Sequence, residues 1–200
     1  MTPHAPGDKQ AKKVRTFIAV DPAPAVRHAL AAMQNDLASG GFRVRWVKPD
    51  NIHLTLAFLG NLSPGALGGV FRAVKDAARP YSKMHLSAGG VGVFPGAGRP
   101  RVIWAGLSGD TGPLAGLRNV LADLLSREGG LATADTGQFK PHLTIGRIRG
   151  RVDSRRLAIA MKRLQKVPAV PLTVDAIHVF KSDLTPGGAV YTKLYSVGLG

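Results

Sequence analysis

The chain has 200 residues, 44% hydrophobic and 20% charged, a globular composition long enough for one sizeable core or two small lobes. Its 27 Lys and Arg against 12 Asp and Glu leave a formal charge of +15, which favours polyanionic partners through counterion release, although a basic protein with no nucleic-acid role has the same balance. No apolar run approaches the ~20 residues of a membrane span, the polar start Met1–Lys13 does not read as a secretory signal, and the lack of cysteine excludes disulfides, thiolate metal sites and cysteine nucleophiles and fits a cytoplasmic protein.

Residues 1–13 read as a flexible basic tail, with Lys9, Lys12 and Lys13. Residues 14–200 read as one domain, because no linker-like stretch divides them. Val14 to Val20 is apolar and β-branched, a strand. Asp21-Pro22 predicts a helix start, followed by Val26, Leu30, Met33 and Leu37 at helical spacing and a stop at Gly40-Gly41. Arg43 to Val47 and Ile52 to Leu59 read as strands around a Lys-Pro-Asp-Asn turn. Ser63-Pro64 predicts a second helix, with Leu67, Val70, Phe71 and Val74 on one face and Pro80 as its stop.

The later chain repeats the theme. Met84 to Ala88 and Val102 to Leu107 read as strands, with Gly89 to Arg101 a glycine- and proline-rich loop on the groove rim and Gly106 to Gly112 a second loop. Leu114, Leu117, Leu121, Leu124 and Leu125 make a helix stripe that Gly129-Gly130 should end. A strand through His142 to Arg147, a helix over 154–164, and strands at Leu172 to Phe180 and Ala189 to Val197 complete the set. Short turns between many strands favour α+β with antiparallel sheets over a doubly wound parallel sheet. Arg147, Arg149, Arg151, Arg155 and Arg156 form a basic cluster, for which a solvated face is the plain reading.

Two segments match each other: His53-Leu54-Thr55-Leu56 and His142-Leu143-Thr144-Ile145. Side chains alternate along a strand, so each His shares a face with its Thr while the aliphatic residues turn to the core. Two such strands across a groove would gather two imidazoles and two hydroxyls. That set suits phosphodiester chemistry. One neutral imidazole takes a proton from the attacking oxygen, one imidazolium protonates the leaving oxygen, and the Thr hydroxyls donate to non-bridging oxygens. No metal or other cofactor is needed. His4, His28, His85 and His178 carry no motif around them, and no metal-ligand spacing is present.

On these motifs the chain resembles the two-histidine phosphoesterases, and more closely the RNA 2′,3′-cyclic phosphodiesterases, first named 2′-5′ RNA ligases. The matching stretches are Arg15 to Val20, Trp46 to Gly60, Phe94-Pro95, Arg99 to Trp104, Phe139 to Arg147, and Ser182-Asp183-Leu184 with Tyr191. The resemblance implies two pseudo-symmetric lobes with antiparallel sheets flanking a central cleft and helices outside. It implies hydrolysis of an RNA 2′,3′-cyclic phosphate to a 2′-phosphate, with ligation as a weaker reverse activity. By the same resemblance, His53 is the acid for the departing 3′ oxygen and His142 the base for water, although the symmetry of the motifs supports either order. The family also places an arginine near the phosphate where Arg147 stands. A regular strand would turn Arg147 away from His142, so a bend at Gly146 is required. Phe17 and Tyr191 are candidates for stacking on a base or lining the cleft, or are core aromatics.

The expected partner is an RNA with a 2′,3′-cyclic phosphate end, with no membrane and no metal, for a monomer. A small cyclic nucleotide or an ADP-ribose cyclic phosphate is the alternative substrate. An RNA-binding module without catalysis is the alternative of another class.

Overall fold

Strand β1 (Val14–Val20) has five buried residues in succession, so both its faces are covered. Ile18 and Val20 enter the main core, whereas Phe17 and Ala19 face the other way, into a small cluster with Phe180 and Tyr191. The computed structural model describes residues 12–128, 131 and 138–200. The tail expected over 1–13 lies outside them except for Lys12 and Lys13, and so does the helix stop expected at Gly129-Gly130.

After β1 come α1 (Pro24–Ala38), β2 (Val44–Trp46), β3 (Leu54–Leu62), α2 (Leu67–Ala78), β4 (Met84–Phe94), β5 (Val102–Gly109), α3 (Thr111–Arg127), β6 (His142–Ile148), α4 (Ser154–Leu164), β7 (Val170–Val174), β8 (Ala176–Thr185) and β9 (Gly188–Gly198). The strands form one antiparallel sheet in the order β7-β4-β5-β6-β3-β1-β8-β9, with β2 also paired to β6. Among the described residues its two four-strand halves meet through one residue pair, Leu54 with Leu143. The helices bury apolar stripes at helical spacing, such as Val26, Leu30, Met33 and Leu37 of α1 and Leu114, Leu117, Leu121 and Leu125 of α3. Each such Leu contributes about 1.5–3 kcal/mol by leaving water. The stripes share one core with Leu54, Leu143 and Ile145, leaving the opposite sheet face for the cleft. Among the described residues no helix is long and apolar enough to cross a membrane.

The expected α+β antiparallel architecture is what the chain adopts, with four local corrections. Helix α1 starts at Pro24 with Ala23 as its cap, not at Asp21-Pro22, because the Asp21 carboxylate is taken by Arg27 and Lys193. The loop expected over Gly89 to Arg101 is strand as far as Phe94. Its glycines serve close packing: a Cβ on Gly92 would lie 2.1 Å from Cζ2 of Trp104. Likewise β5 runs to Gly109, inside the second expected loop. The strand expected over Leu172 to Phe180 is broken at Asp175, and its pieces pair with β4 and with β1. One residue thus links the first and seventh strands of the order, which requires the sheet to curl.

Candidate active site

His53 stands immediately before β3, and His142 opens β6. Leu54 and Leu143 are buried while Thr55 and Thr144 are partly exposed, the alternation the motifs predict. The antiparallel pair Leu54–Leu143 places His53 across from Thr144 and Thr55 across from His142. The imidazoles therefore occupy one diagonal and the hydroxyls the other, and diagonal positions in such a ladder are about 7–8 Å apart.

Each strand then carries a β-bulge at the fourth motif residue. Ala19 pairs with Thr55 and Ile18 with Ala57, so Leu56 is the extra residue. Trp104 pairs with Thr144 and Ile103 with Gly146, so Ile145 is the extra residue. A bulge resets the alternation, and the buried pairs Leu56-Ala57 and Ile145-Gly146 record that reset. Arg147 is thereby returned to the face of Thr144 and lines the same cleft. The expected bend exists, one residue earlier than Gly146. Gly146 is needed for another reason: a Cβ there would lie 2.7 Å from Cγ1 of Val44. The position matching Arg147 in the first motif is Phe58, which also lines the cleft and is 42% exposed. The sequence reading missed it, although aligning the two motifs beyond their fourth residue would have paired Phe58 with Arg147.

Both rings are held in the same way. Nδ1 of His53 donates to the Asn51 carbonyl at 2.7 Å, and Nδ1 of His142 donates to the Lys140 carbonyl at 2.7 Å. A carbonyl only accepts, so Nδ1 carries the hydrogen and Nε2 is left for chemistry. Asn51 also donates from Nδ2 to the Ala189 carbonyl at 2.8 Å, tying the β8–β9 hairpin to the segment that holds His53. Phe17 lies 4.7 Å from the His53 ring and Tyr191 5.3 Å from it. Phe94 and Trp104 stand 5.0 and 6.2 Å from His142. Phe17 is 3% exposed, a wall behind His53 with little surface for a base, whereas Tyr191 is partly exposed.

Burial behind these rings pushes the His53 imidazole below its ordinary pKa. The Asn51 bond and the Asp21 charge oppose that shift, and Arg147 and His142 reinforce it. Burial likewise pushes the Tyr191 phenol up. The cleft holds about 760 Å³ and is lined by His53, Thr55, Thr144, Tyr191 and a set of cations. Arg15, Arg45, Lys48 and Arg147 line it, with no carboxylate among the described lining residues. Arg45 and Lys48 come from the β2 segment, whose pairing with β6 a sequence does not reveal. Among the described residues no three potential ligands are grouped as a metal site.

The LigT-like phosphoesterase family matches residues 20–104 and 109–191. A protein of Methanothermobacter thermautotrophicus named RNA 2′,3′-cyclic phosphodiesterase is 33% identical over 182 residues, covering 91% of this chain and 97% of its own. One of the same name from Thermotoga maritima is 30% identical over 184 residues, covering 91% and 94%. A crystal structure from Thermus thermophilus superposes with a TM-score of 0.77 at 27% identity, covering 92% of this chain and 97% of that one.

Proposed function

The chain belongs to the LigT-like phosphoesterase family, and from that premise we propose that it hydrolyses the 2′,3′-cyclic phosphate at an RNA end to a 2′-phosphate. The observation that carries this reading is the paired lock on the two rings. Both imidazoles are pinned through Nδ1 to a carbonyl two residues back, and their motif threonines share a cationic cleft.

In the proposed step His142 takes a proton from water, whose oxygen forms the new bond to phosphorus. The bond from phosphorus to the 3′ oxygen breaks, and His53 delivers its proton there. Thr55 and Thr144 donate to the non-bridging oxygens, and Arg147 neutralises their charge. His53 must enter this step protonated, although burial lowers its pKa. The phosphodiester anion supplies the opposing charge and raises it again. Phe17 keeps the His53 ring in place, and Tyr191 and Phe58 offer faces to the terminal nucleotide. Acid, base and donors are all side chains, so the reaction is read as metal-free. With the 5′ hydroxyl of a second RNA in place of water, the same site would form a 2′-5′ linkage as the P–O3′ bond breaks, a weaker ligation. Residues 14–200 are read as one bilobal domain of a cytoplasmic monomer.

The test is to incubate a short RNA ending in 2′,3′-cyclic phosphate with the protein in EDTA and identify the product end. A 2′-phosphate that disappears with His53→Ala and with His142→Ala is expected. A 3′-phosphate would reverse which oxygen leaves. Activity lost in EDTA and restored by a divalent ion would overturn the metal-free step. Turnover of small cyclic nucleotides alone would replace RNA as substrate. No turnover of either would leave a binding module.

A further inference from the structure

A second cleft, of about 1090 Å³, opens beside the first and shares Arg147 with it. One wall is the end of β6 and the turn after it, with Arg147, Arg149 and Arg151. The other is the β4–β5 connection, with Arg99 and Arg101. The walls are fixed to each other by backbone, Ile148 donating to the Arg101 carbonyl at 2.9 Å, and the first wall is tied to the start of β2 by Arg149 donating to the Arg43 carbonyl at 2.7 Å. Arg99, Arg101, Arg149 and Arg151 are exposed, and no carboxylate or aromatic side chain lines this cleft among the described residues. The carboxylate next along the chain, Asp153, is committed to capping α4, accepting from the amides of Arg155 and Arg156 at 3.0 Å each.

Five guanidinium groups line one cleft with no carboxylate among the described lining residues, so they repel one another in the free protein. They become favourable only against a ligand of several negative charges. Guanidinium forks match phosphate oxygens. The lack of an aromatic platform argues for recognition of a backbone rather than of bases. Because Arg147 belongs to both clefts, one ligand can run from the first into the second. An RNA whose cyclic phosphate sits between the histidines extends from there only on its 5′ side. We infer that the second cleft is a phosphate track for the single-stranded RNA body 5′ of the reacting end, making the enzyme selective for chain length but indifferent to upstream sequence. The inference rests on the reading of the first cleft as the seat of an RNA 3′ end.

The experiment compares the wild type with Arg149→Ala/Arg151→Ala, and with Arg99→Ala/Arg101→Ala as an independent second variant. Fluorescence anisotropy measures binding of a labelled dinucleotide and a labelled dodecamer RNA, both ending in 3′-phosphate, at several salt concentrations. Turnover of 2′,3′-cyclic AMP is measured alongside. The wild type should bind the dodecamer at least roughly tenfold tighter than the dinucleotide, and each variant should lose most of that advantage. The slope of log affinity against log salt should fall by about 0.7 for each phosphate contact removed. Turnover of 2′,3′-cyclic AMP should be unchanged. Variants that keep the full length preference, or a wild type without one, would overturn the track. So would an acidic peptide that binds as tightly as the dodecamer, which would assign the cleft to a protein partner. Length-dependent binding by a wild type that hydrolyses nothing would support the track and sink the phosphodiesterase reading instead.

Discussion

His53 packs against Phe17 at 4.7 Å and Tyr191 at 5.3 Å, whereas His142 faces Phe94 at 5.0 Å and Trp104 at 6.2 Å. Each ring is bonded through Nδ1 to a carbonyl two residues earlier, and each strand bulges at the fourth motif residue. Beyond the bulge the two sites diverge. The first strand presents Phe58 and the second Arg147. The first is backed by a cluster of buried aromatics on β1 and β8, while the second lies beside the arginines of β2 and the β4–β5 connection. A repeated backbone device fixes where the imidazoles point, and the unrepeated neighbours decide what each half contributes. One half supplies an apolar wall and the other a field of positive charge.

If the two halves contribute differently, the histidines are not interchangeable. His53→Ala and His142→Ala should each slow turnover of the cyclic RNA end by about 10²–10⁴-fold. A phosphodiester with a nitrophenolate leaving group needs no proton from an acid. Steady-state rates on it should be restored largely in His53→Ala and not in His142→Ala. Rescue of the other variant would exchange the two roles.

A smaller effect probes the bulges. Gly146→Ala forces a Cβ to 2.7 Å from Val44 and 3.0 Å from the Trp46 ring, which should cost about 1–3 kcal/mol of overpacking by urea denaturation. Ala57 holds the matching place on β3 and pairs with Ile18 of β1 rather than with β2. Ala57→Gly should cost under about 1 kcal/mol. Equal costs would mean that β2 does not distinguish the two bulges.

The smallest effect is on stability against pH. His53 and His178 both lie below the ordinary imidazole pKa, chiefly through burial. The unfolded chain therefore takes up their protons first as pH falls. Stability present above about pH 6.5 is lost as pH drops through the lower folded values. Burial raises the Asp21 carboxyl, but its bond to Lys193 and the Arg27 charge outweigh that and hold it below the usual range. Its contribution persists until pH falls below about 4. Melting curves at about pH 7.5 and 5.5 should show a smaller drop for His53→Gln than for the wild type. An unchanged drop would remove burial of His53 as its source.

Much of this site was legible in the sequence, because strand alternation alone places His53 with Thr55 and His142 with Thr144. Alternation also misplaced Arg147, since a bulge depends on the register of a neighbouring strand, here β5, which the motif does not encode. Phe58 escaped for the same reason. The break at Asp175 lies within an apolar, strand-like run, and what divides it is a choice of partners, β4 or β1, settled by tertiary packing. The stretch from Gly89 to Phe94 looked like loop because glycine disfavours strand, yet Gly92 is what lets Trp104 lie against the backbone.

The hydrogen bonds from both Nδ1 atoms leave each imidazole one port for proton traffic, its Nε2. A proton received there cannot leave by the ring's other side. In the proposed direction, each hydrolysis ends with His142 charged and His53 neutral, the mirror of the state that began it. That mirror state is the one that the reverse reaction requires, attack of the 3′ hydroxyl on the 2′-phosphate to close the ring again. Before the next hydrolysis the pair must exchange protons through the same cleft that admits RNA, so departure of product and resetting of the catalyst share a single door.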